Sequence, residues 1–470
     1  MGSEAVIYRE LCSNLEFEPT QCQERLFKEL ASFLVAHPSE DLLLVKGYAG
    51  TGKTSAIASF VKVLRATSQN FTLLAPTGRA AKVLSTYTNE RAYTIHKEIY
   101  RERSIEDGVG SFALSFNKKK NSFFIVDEAS LIASSQGGDS LFGSGDLLED
   151  LISFVRGGRG NRLILIGDPA QLPPVGEEFS KSLSGTYLSN WGVVREVLLT
   201  SVVRQAEDSG ILYNATLLRE LIESGEKRKI SLELDRFNDI ERINGADFIE
   251  VLESSYQKEG RGENLVICRS NRMAVKYNKA IRSSLFFSEE ELSRGDLVMV
   301  VKNSYRQADQ LEGIDFIANG DVAEVLSVRG GERLYNLQYR DLLLSFPDYD
   351  GLELSSKVIV DVLGSESASL GRERERELFF ELQKDYLHIR GKANRLKAIR
   401  EDPYYGALQI KYGYAVTCHK SQGGQWRNIF IDNPFWKEEL EVEDLKWLYT
   451  AFTRATQKLY LVNFRDFMFR

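Results

Sequence analysis

The sequence predicts an α/β protein that is built on parallel sheets and contains more than one domain. The chain has 470 residues, more than one ordinary hydrophobic core accommodates. Short, mainly apolar runs at 42–45, 123–126 and 162–166 are each followed within two residues by glycine or an acidic residue. Runs of this length are typical of strands that are buried on both faces, as in parallel sheets covered by helices.

Composition narrows the class of protein. Hydrophobic residues make up 43% and charged residues 27%, the balance of a soluble globular protein. No apolar run approaches the roughly 18 residues of a membrane span, and no charged-then-apolar leader opens the chain. The four cysteines, Cys12, Cys22, Cys268 and Cys418, lack the paired spacing of a metal site. We therefore expect a reduced, cytoplasmic protein without structural zinc and without a membrane partner.

The net charge does not decide whether the protein binds nucleic acid. The formal charge of -7 and the isoelectric point near 5.5 argue against attraction of nucleic acid to the whole surface. A local basic groove is still compatible with these values, because binding depends on where Lys and Arg converge.

The first element is a phosphate-binding loop. The stretch KGYAGTGKTS at 46–55 contains GxxxxGK[ST], between the apolar run at 42–45 and apolar residues at helical spacing over 57–64. Backbone N–H groups of such a loop and the following helix N-terminus cradle phosphates. Lys53 would reach the β- and γ-phosphates, and Thr54 would ligate Mg²⁺. The predicted nucleotide-binding residues here are Gly47, Ala49, Gly50, Thr51, Gly52, Lys53, Thr54 and Ser55.

Two later apolar runs carry polar residues at their carboxyl ends. Asp127 and Glu128 follow 123–126, so Asp127 would hold the magnesium shell while Glu128 would orient and deprotonate the attacking water. A charged pair that only caps a strand is the alternative for these carboxylates. The run at 162–166 ends in GDPAQLPPVG, in which Gln171 would lie where a γ-phosphate sensor is needed.

That last run resembles motif III of superfamily 1B helicases, and other blocks resemble the remaining motifs in family order. They are PTQCQ at 19–23 (Q motif), APTGRAAKVLS at 75–85 (Ia), TIHK at 94–97 (Ib), LTSVVRQ at 199–205 (IV), YAVTCHKSQGGQW at 414–426 (V) and LYTAFTRA at 448–455 (VI). The chain most resembles compact RecD-like and phage Dda-type DNA helicases, to which Pif-type helicases are related. Motif V departs from the usual Gly-Ser-Glu, because Gln425 stands at the glutamate position.

The resemblance implies two RecA-like P-loop NTPase domains with ATP and Mg²⁺ between them. Gln23 would read adenine, and Gly423 would contact nucleotide. Arg204 and Arg454 would point from the second domain at the γ-phosphate; isolated arginines would otherwise form surface salt bridges. The predicted catalytic residues are Lys53, Glu128, Gln171, Arg204 and Arg454, and the predicted metal ligands are Thr54 and Asp127.

The resemblance also implies contacts with single-stranded DNA and movement in the 5′ to 3′ direction. Hydroxyl and imidazole groups suit sugar and phosphate contacts that carry no sequence information. His96 and His419 would otherwise be satisfied core histidines. The predicted DNA-binding residues are Pro76, Thr77, Thr94, His96, Phe112, Phe116, Pro173, Thr417 and His419.

Insertions interrupt the two motor domains. Residues 101–121 read as a hairpin that would act as a separation pin with an aromatic tip, either Phe112 or Phe116; a small hairpin core is the alternative. The glycine- and serine-rich segment 133–146 is predicted to be a loop of no assigned function. The largest insertion resembles an SH3-like β-barrel, and its charged helical segment 371–402 is either an arm that braces the pin or a surface helix.

The predicted domains follow from these motifs. They are 1–190, the first RecA-like motor domain, with the pin at about 97–121; 191–304, the first part of the second RecA-like domain; 305–405, the inserted SH3-like domain; and 406–470, the remainder of the second RecA-like domain. We expect a stand-alone, monomeric, ATP- and Mg²⁺-dependent DNA helicase that acts on single strands and duplex junctions, with single-strand-binding or replication and repair proteins as candidate partners. The alternatives are an RNA helicase and a DNA-stimulated ATPase, translocase or switch that does not unwind.

Overall fold

The computed structural model describes residues 2–15, 17–36, 42–106, 109–134, 143–202, 208–304, 317–349 and 351–470. Fourteen helices are defined in these ranges: α1 (Gly2–Ser13), α2 (Gln21–Val35), α3 (Lys53–Ala66), α4 (Gly78–Thr88), α5 (Ile95–Ile99), α6 (Leu147–Arg156), α7 (Gly185–Leu188), α8 (Gly210–Ser224), α9 (Phe248–Glu259), α10 (Asn271–Leu285), α11 (Arg372–Asp385), α12 (Lys392–Glu401), α13 (Cys418–Ser421) and α14 (Val442–Phe452).

Twenty strands are defined in the same ranges: β1 (Leu42–Gly47), β2 (Asn70–Ala75), β3 (Ala92–Thr94), β4 (Tyr100–Glu106), β5 (Val109–Leu114), β6 (Ser122–Val126), β7 (Arg162–Gly167), β8 (Val194–Leu199), β9 (Arg228–Lys229), β10 (Ile240–Ile243), β11 (Asn264–Cys268), β12 (Leu297–Val300), β13 (Val322–Leu334), β14 (Leu337–Phe346), β15 (Leu352–Ile359), β16 (Leu408–Tyr412), β17 (Ala415–Thr417), β18 (Trp426–Asp432), β19 (Glu439–Leu440) and β20 (Ala455–Val462).

The first motor domain is a six-stranded parallel sheet in the order β3-β2-β6-β7-β1-β8. Successive residues of a strand point to opposite faces. Leu43 and Val45 therefore pack with α1, α2 and α3, while Leu42 and Leu44 pack with α5 and α6. Both faces are apolar because both are covered, which explains why these strands read as unbroken hydrophobic runs in the sequence.

The second motor domain is a five-stranded parallel sheet in the order β10-β20-β18-β11-β17. Leu265 and Ile267 face a core shared with α8 and α14, and Val266 faces a core shared with α9 and α10. The predicted fold class, with two parallel-sheet RecA-like domains, is confirmed.

Strands β12 to β16 close into the predicted small barrel. Neighbouring strands are antiparallel except β15 and β16, which run parallel. The barrel starts at Leu297 and ends at Tyr412, so it extends beyond the predicted insertion at 305–405 on both sides. Its interior residues, including Val298 and Ile410, join the core of the second motor sheet, so the insertion is packed onto that domain.

The predicted boundary at 190 also needs a correction. Strand β8 lies after it and pairs in parallel with β1, with Leu42 opposite Val194 and Gly47 opposite Leu199. Because a parallel strand at a sheet edge belongs to the sheet that it pairs with, the first motor domain extends through Leu199.

Two smaller elements complete the description. Strands β4 and β5 form the predicted antiparallel hairpin. Helices α11 and α12 pack on the outside of the barrel through Phe379, Leu382 and Ile399, against Val301 and Tyr339. Among the residues that the structure describes, no helix has the length and apolar character required to cross a membrane.

Candidate functional site: the nucleotide cleft and its surroundings

The phosphate loop connects β1 to α3, as the motif predicts. Gly50 and Gly52 have φ of 74° and 75°, left-handed values that favour glycine. A side chain at Gly47 would also be crowded, because an added Cβ would lie 2.9 Å from Cγ of Lys53. The spacing of glycines therefore serves a tight turn and a close approach of the loop to Lys53.

Lys53 lies inside the loop. Its Nζ donates to the carbonyl oxygens of Gly47 at 2.7 Å and Tyr48 at 2.9 Å, and lies 3.9 Å from Oδ2 of Asp168. The ammonium group is thus held by two loop carbonyls and one carboxylate from the tip of β7. Thr54 and Ser55 follow in the first turn of α3 and are half-buried.

Gln23 contacts the loop directly. Its side chain is fully buried; Oε1 accepts from the backbone N–H of Thr20 at 2.9 Å, and Nε2 donates to the carbonyl of Thr51 at 3.2 Å. The first bond is half of a capping box at the start of α2. Both ends of the amide are therefore used within the protein, and Gln23 links the Q-motif helix to the phosphate loop.

The predicted acidic pair follows β6. Asp127 is buried, and its Oδ1 accepts from the backbone N–H of Glu128 at 2.8 Å. Burial, and then the negative charge of Glu128, raise the pKa of Asp127 above its ordinary value. Glu128 adopts a left-handed backbone with φ of 51°, which turns the chain sharply at the end of the strand.

These oxygens suit a hard divalent cation. Mg²⁺ is commonly bound through one or two protein ligands together with substrate phosphates and water, so Thr54 and Asp127 form an adequate donor set. A cation here would relieve the repulsion between the two carboxylates at 127 and 128. Within the described part of the chain, no group of three or more His, Cys, Asp or Glu residues forms a separate metal site.

The tip of β7 joins the two motor domains. Gln171 is buried, and its Oε1 has no hydrogen-bond partner among the described residues, so this acceptor is left unused within the protein. The backbone N–H of Leu172 donates to Oγ1 of Thr450 at 2.9 Å, and its carbonyl accepts from Nε2 of Gln422 at 3.0 Å. Motif III is therefore bonded to residues of motifs V and VI.

Tyr449 connects the second motor domain to two parts of the first. Its hydroxyl accepts from the backbone N–H of Ala49 in the phosphate loop at 2.8 Å and donates to Oδ2 of Asp168 at 2.7 Å. Burial, and then the charge of Asp168, raise the pKa of Tyr449 well above its usual value, so the hydroxyl keeps its proton and donates. Sequence reasoning did not select Tyr449, although it lies inside the quoted block LYTAFTRA.

Of the two predicted arginines, the structure describes Arg454. It is buried and donates to the carbonyls of Thr450 at 3.0 Å and Gly424 at 3.2 Å, and to Oγ1 of Thr453 at 3.1 Å. These bonds fix the guanidinium group at the domain boundary. Arg204 lies outside the described residues.

The motif V loop lies against the start of α4. Gly423 has φ of 74°, and an added Cβ would lie 3.0 Å from both Thr77 Oγ1 and Ala80 Cβ. The guanidinium carbon of Arg79 lies 3.9 Å from the centre of the Trp426 ring, within cation–π range. Sequence reasoning did not identify this contact, because the two residues are far apart in the chain.

The predicted DNA-binding residues fall into exposed and buried groups. Thr77 and Thr94 cap α4 and α5 by accepting from Ala80 N at 3.2 Å and Lys97 N at 3.3 Å, and Thr94 is buried. Pro76 and Thr417 are half-buried, and His419 is exposed. Pro173, the predicted DNA-binding residue of its turn, is buried, whereas Val175, two residues later, is 79% exposed. The surface that this turn presents to solvent is therefore at Val175 rather than at Pro173.

His96 is half-buried at the start of α5. Its ring lies 5.7 Å from that of Tyr100, and burial lowers the pKa of His96 to about 4. The imidazole is therefore neutral at pH 7, so any contact with DNA would be a hydrogen bond or a stacking contact rather than an ion pair.

The two predicted pin aromatics differ in exposure. Phe112, opposite Glu102 in the hairpin, packs against the core under α5 and α6, whereas Phe116, just after β5, is 73% exposed. Neither is next to Glu106 and Val109, the pair of the hairpin that lies farthest from Tyr100 and Leu114. The reason is the register, which pairs Tyr100 with Leu114 and so places both aromatics toward the base.

Two family models match the chain. The model described as an AAA domain matches residues 23–247, and that of the UvrD-like helicase C-terminal domain matches residues 412–462. The first match contains the phosphate loop and motifs Ia to IV, and the second contains motifs V and VI.

Two relatives are identical to the chain at about a quarter of the aligned residues. Protein R530 of Acanthamoeba polyphaga mimivirus, which carries no functional description, is 24% identical over 93% of this chain and 98% of its own length. The ATP-dependent RecD2 DNA helicase of Deinococcus radiodurans is 24% identical over 94% of this chain. The chain spans 50% of the length of that helicase.

Two solved structures of Pif1 helicases share the fold. One, described in work on DNA unwinding at forked duplex DNA by two coordinating Pif1 helicases, has a TM-score of 0.52 at 16% identity and covers 96% of this chain and 94% of its own. The Bacteroides Pif1 helicase in complex with ADP-AlF3 and single-stranded DNA has a TM-score of 0.50 at 16% identity and covers 97% and 95%.

Fold and site together define a P-loop nucleotide-binding protein in which two parallel-sheet domains are bonded to each other beside the phosphate loop. The motifs, the two family models and the relatives support a closer assignment: the chain is similar to the RecD/Pif-type helicases of superfamily 1B.

Proposed function

We propose that this protein is an ATP-dependent DNA helicase that moves 5′ to 3′ on single-stranded DNA and separates duplexes. The observation that carries the proposal is the bonding of the phosphate loop to motif VI of the second domain, through Tyr449 and Ala49. A nucleotide bound at the loop would therefore lie against both motor domains. The RecD2 and Pif1 relatives support DNA as the track and unwinding as the outcome.

Each predicted catalytic residue has a distinct part in hydrolysis. Lys53 would leave the carbonyls of Gly47 and Tyr48 to meet the β- and γ-phosphates, and Glu128 would take a proton from the attacking water. Gln171 would orient that water with its unused Oε1, while Arg454, held at the domain boundary, would stabilise charge that develops during transfer. Mg²⁺, bound through Thr54 and Asp127, would neutralise phosphate charge.

Translocation would follow from the contacts between the domains. The helix N-terminus at Thr77 lies against the motif V loop at Gly423, so both proposed DNA grips meet at the boundary that nucleotide closes. Alternate tightening of the grips on the two domains would advance the strand by one step per ATP. Contacts to sugar and phosphate predict no sequence preference.

The test is strand separation of forked duplexes with Mg²⁺ and ATP. A fork with a 5′ single-stranded tail should open, its 3′-tailed twin should not, and Lys53→Ala should open neither. Selective opening of the 3′-tailed fork would contradict the direction, while the helicase activity would stand.

Two other outcomes would favour the alternatives. ATP hydrolysis that is stimulated by single-stranded DNA without opening of either fork would indicate a translocase or switch. Stronger stimulation by RNA than by DNA of the same sequence would indicate an RNA helicase, because only RNA offers the 2′-hydroxyl.

A further inference from the structure

A buried tyrosine hydroxyl and the phosphate-loop lysine lie near the same carboxylate oxygen. Oδ2 of Asp168 has two close partners, the hydroxyl of Tyr449 at 2.7 Å and Nζ of Lys53 at 3.9 Å. Its other oxygen, Oδ1, accepts from the backbone N–H of Ala170 at 3.0 Å. Asp168 is 1% exposed, so solvent does not screen its charge effectively.

The two partners compete for one oxygen. A donor at 2.7 Å satisfies Oδ2 and reduces its attraction for the ammonium group, which remains at a distance too long for a direct hydrogen bond. Without the hydroxyl, Lys53 would be the nearest donor left for this oxygen, and a full ion pair would form. Lys53 would then be held on the β7 side of the cleft, away from the phosphates.

Tyr449 belongs to α14 of the second motor domain, whereas Lys53 and Asp168 belong to the first. We propose that Tyr449 is a positioning residue for nucleotide: by satisfying Asp168, it leaves Lys53 available to the phosphates only when the two domains are together. The inference rests on the proposed function in one respect, that the phosphate loop binds ATP. The inference adds that the affinity of the first domain for nucleotide depends on a side chain of the second domain.

Two substitutions and their combination separate the effect. Tyr449→Phe removes the hydroxyl, and with it both the bond to Asp168 and the bond from Ala49, and keeps the ring in its core. Asp168→Asn removes the charge that attracts Lys53. In this variant the Tyr449 hydroxyl has no carboxylate charge to reduce. Binding of a fluorescent, non-hydrolysable ATP analogue with Mg²⁺ is measured by fluorescence titration in the absence of DNA, for the wild type, each variant and the double variant.

Tyr449→Phe should weaken binding about tenfold, as expected for loss of a hydrogen bond to a charged group. Asp168→Asn should bind the analogue at least as tightly as the wild type. In the Asp168→Asn background, Tyr449→Phe should change affinity by less than about twofold. The effects of the two substitutions are then not additive, as expected when Tyr449 acts on Lys53 through Asp168.

The chain offers a matched control in Tyr414. Its hydroxyl also accepts from a backbone N–H, that of Leu297 at 3.0 Å, and donates to a buried aspartate, Asp296, at 3.0 Å, but it lies beside the barrel. Tyr414→Phe should lower the urea midpoint without changing nucleotide affinity. A similar loss of affinity in Tyr414→Phe would assign the effect to general destabilisation and overturn the proposal.

Two further results would overturn the proposal. One is an unchanged affinity in Tyr449→Phe. The other is that Tyr449→Phe lowers affinity equally in the wild-type and the Asp168→Asn backgrounds. Failure of the helicase proposal would be seen elsewhere, in fork opening and DNA stimulation. The affinity ratios do not depend on either, because the titration contains no DNA.

Discussion

At the scale of single residues, Gln23 shows how a side chain that was predicted to read a base also supports the loop beside it. Gln23→Ala would leave the N–H of Thr20 and the carbonyl of Thr51 without their partner in a buried site. We expect a loss of about 1–3 kcal/mol in the free energy of unfolding, together with weaker nucleotide binding, because the loop loses a fixed contact.

Urea unfolding and nucleotide titration measure the two effects. Gln457→Ala, on the exposed face of β20, is the control and should change stability by less than about 0.5 kcal/mol. Retained stability in Gln23→Ala would show that water replaces both bonds at no net loss.

His96 gives a pH dependence. In the folded protein its pKa is lowered to about 4 by burial, below the ordinary value of 6.5, so the unfolded chain binds the proton more readily. The contribution of His96 to stability is therefore full above about pH 6.5 and is lost as the pH falls toward 4.

Urea midpoints of wild type and His96→Gln between pH 7.5 and pH 4.5 test this expectation. The wild type should lose stability relative to the variant as the pH falls, since glutamine does not titrate. Parallel curves would contradict the lowered pKa.

At the scale of elements, the segment that follows the β4–β5 hairpin offers an exposed aromatic, Phe116, for contact with bases. Phe116→Ala should reduce fork opening roughly tenfold, the effect of losing a stacking contact of about 1–3 kcal/mol, while ATP hydrolysis stimulated by single-stranded DNA is kept. Phe112 is a poorer choice, because its removal would disturb the core.

Phe287→Ala is the matched control, since Phe287 is 84% exposed just after α10 and no motif contains it. Equal fork opening by Phe116→Ala and the wild type would exclude Phe116 from strand separation.

Element types were predictable where the local pattern is strong. The apolar runs at 42–45 and 162–166 became β1 and β7, because strands covered on both faces need continuous hydrophobicity. Their partners were not predictable in the same way. Strand β8 reads as a partly polar segment and joins the first sheet as an edge strand, which is why the boundary at 190 was placed too early.

At the scale of the whole molecule, the stack of Arg79 on Trp426 connects the first motor domain to the second. Arg79→Ala should reduce the stimulation of ATP hydrolysis by single-stranded DNA about threefold to tenfold, because a cation–π contact of about 1 kcal/mol no longer favours closure. Hydrolysis without DNA should change less.

Steady-state ATPase assays with and without single-stranded DNA measure this stimulation, as the ratio of the two hydrolysis rates. Arg65→Ala is the control, since Arg65 pairs with Glu90 at 2.7 Å within the first motor domain and is 70% exposed. Undiminished stimulation in Arg79→Ala would show that the stack does not contribute to closure.

The sequence by itself determined the phosphate loop, the acidic pair, the motif order and the α/β class, because each depends on residues that are close together in the chain and on the regular period of strands and helices. Only the tertiary structure decided what meets across the cleft: Tyr449 with Ala49 and Asp168, and Arg79 with Trp426. These contacts join residues 400, 281 and 347 positions apart (449 − 49, 449 − 168, 426 − 79), a separation at which no local pattern specifies a partner. They form because folding buries one hydroxyl and one indole at the boundary between two domains, where each needs a partner.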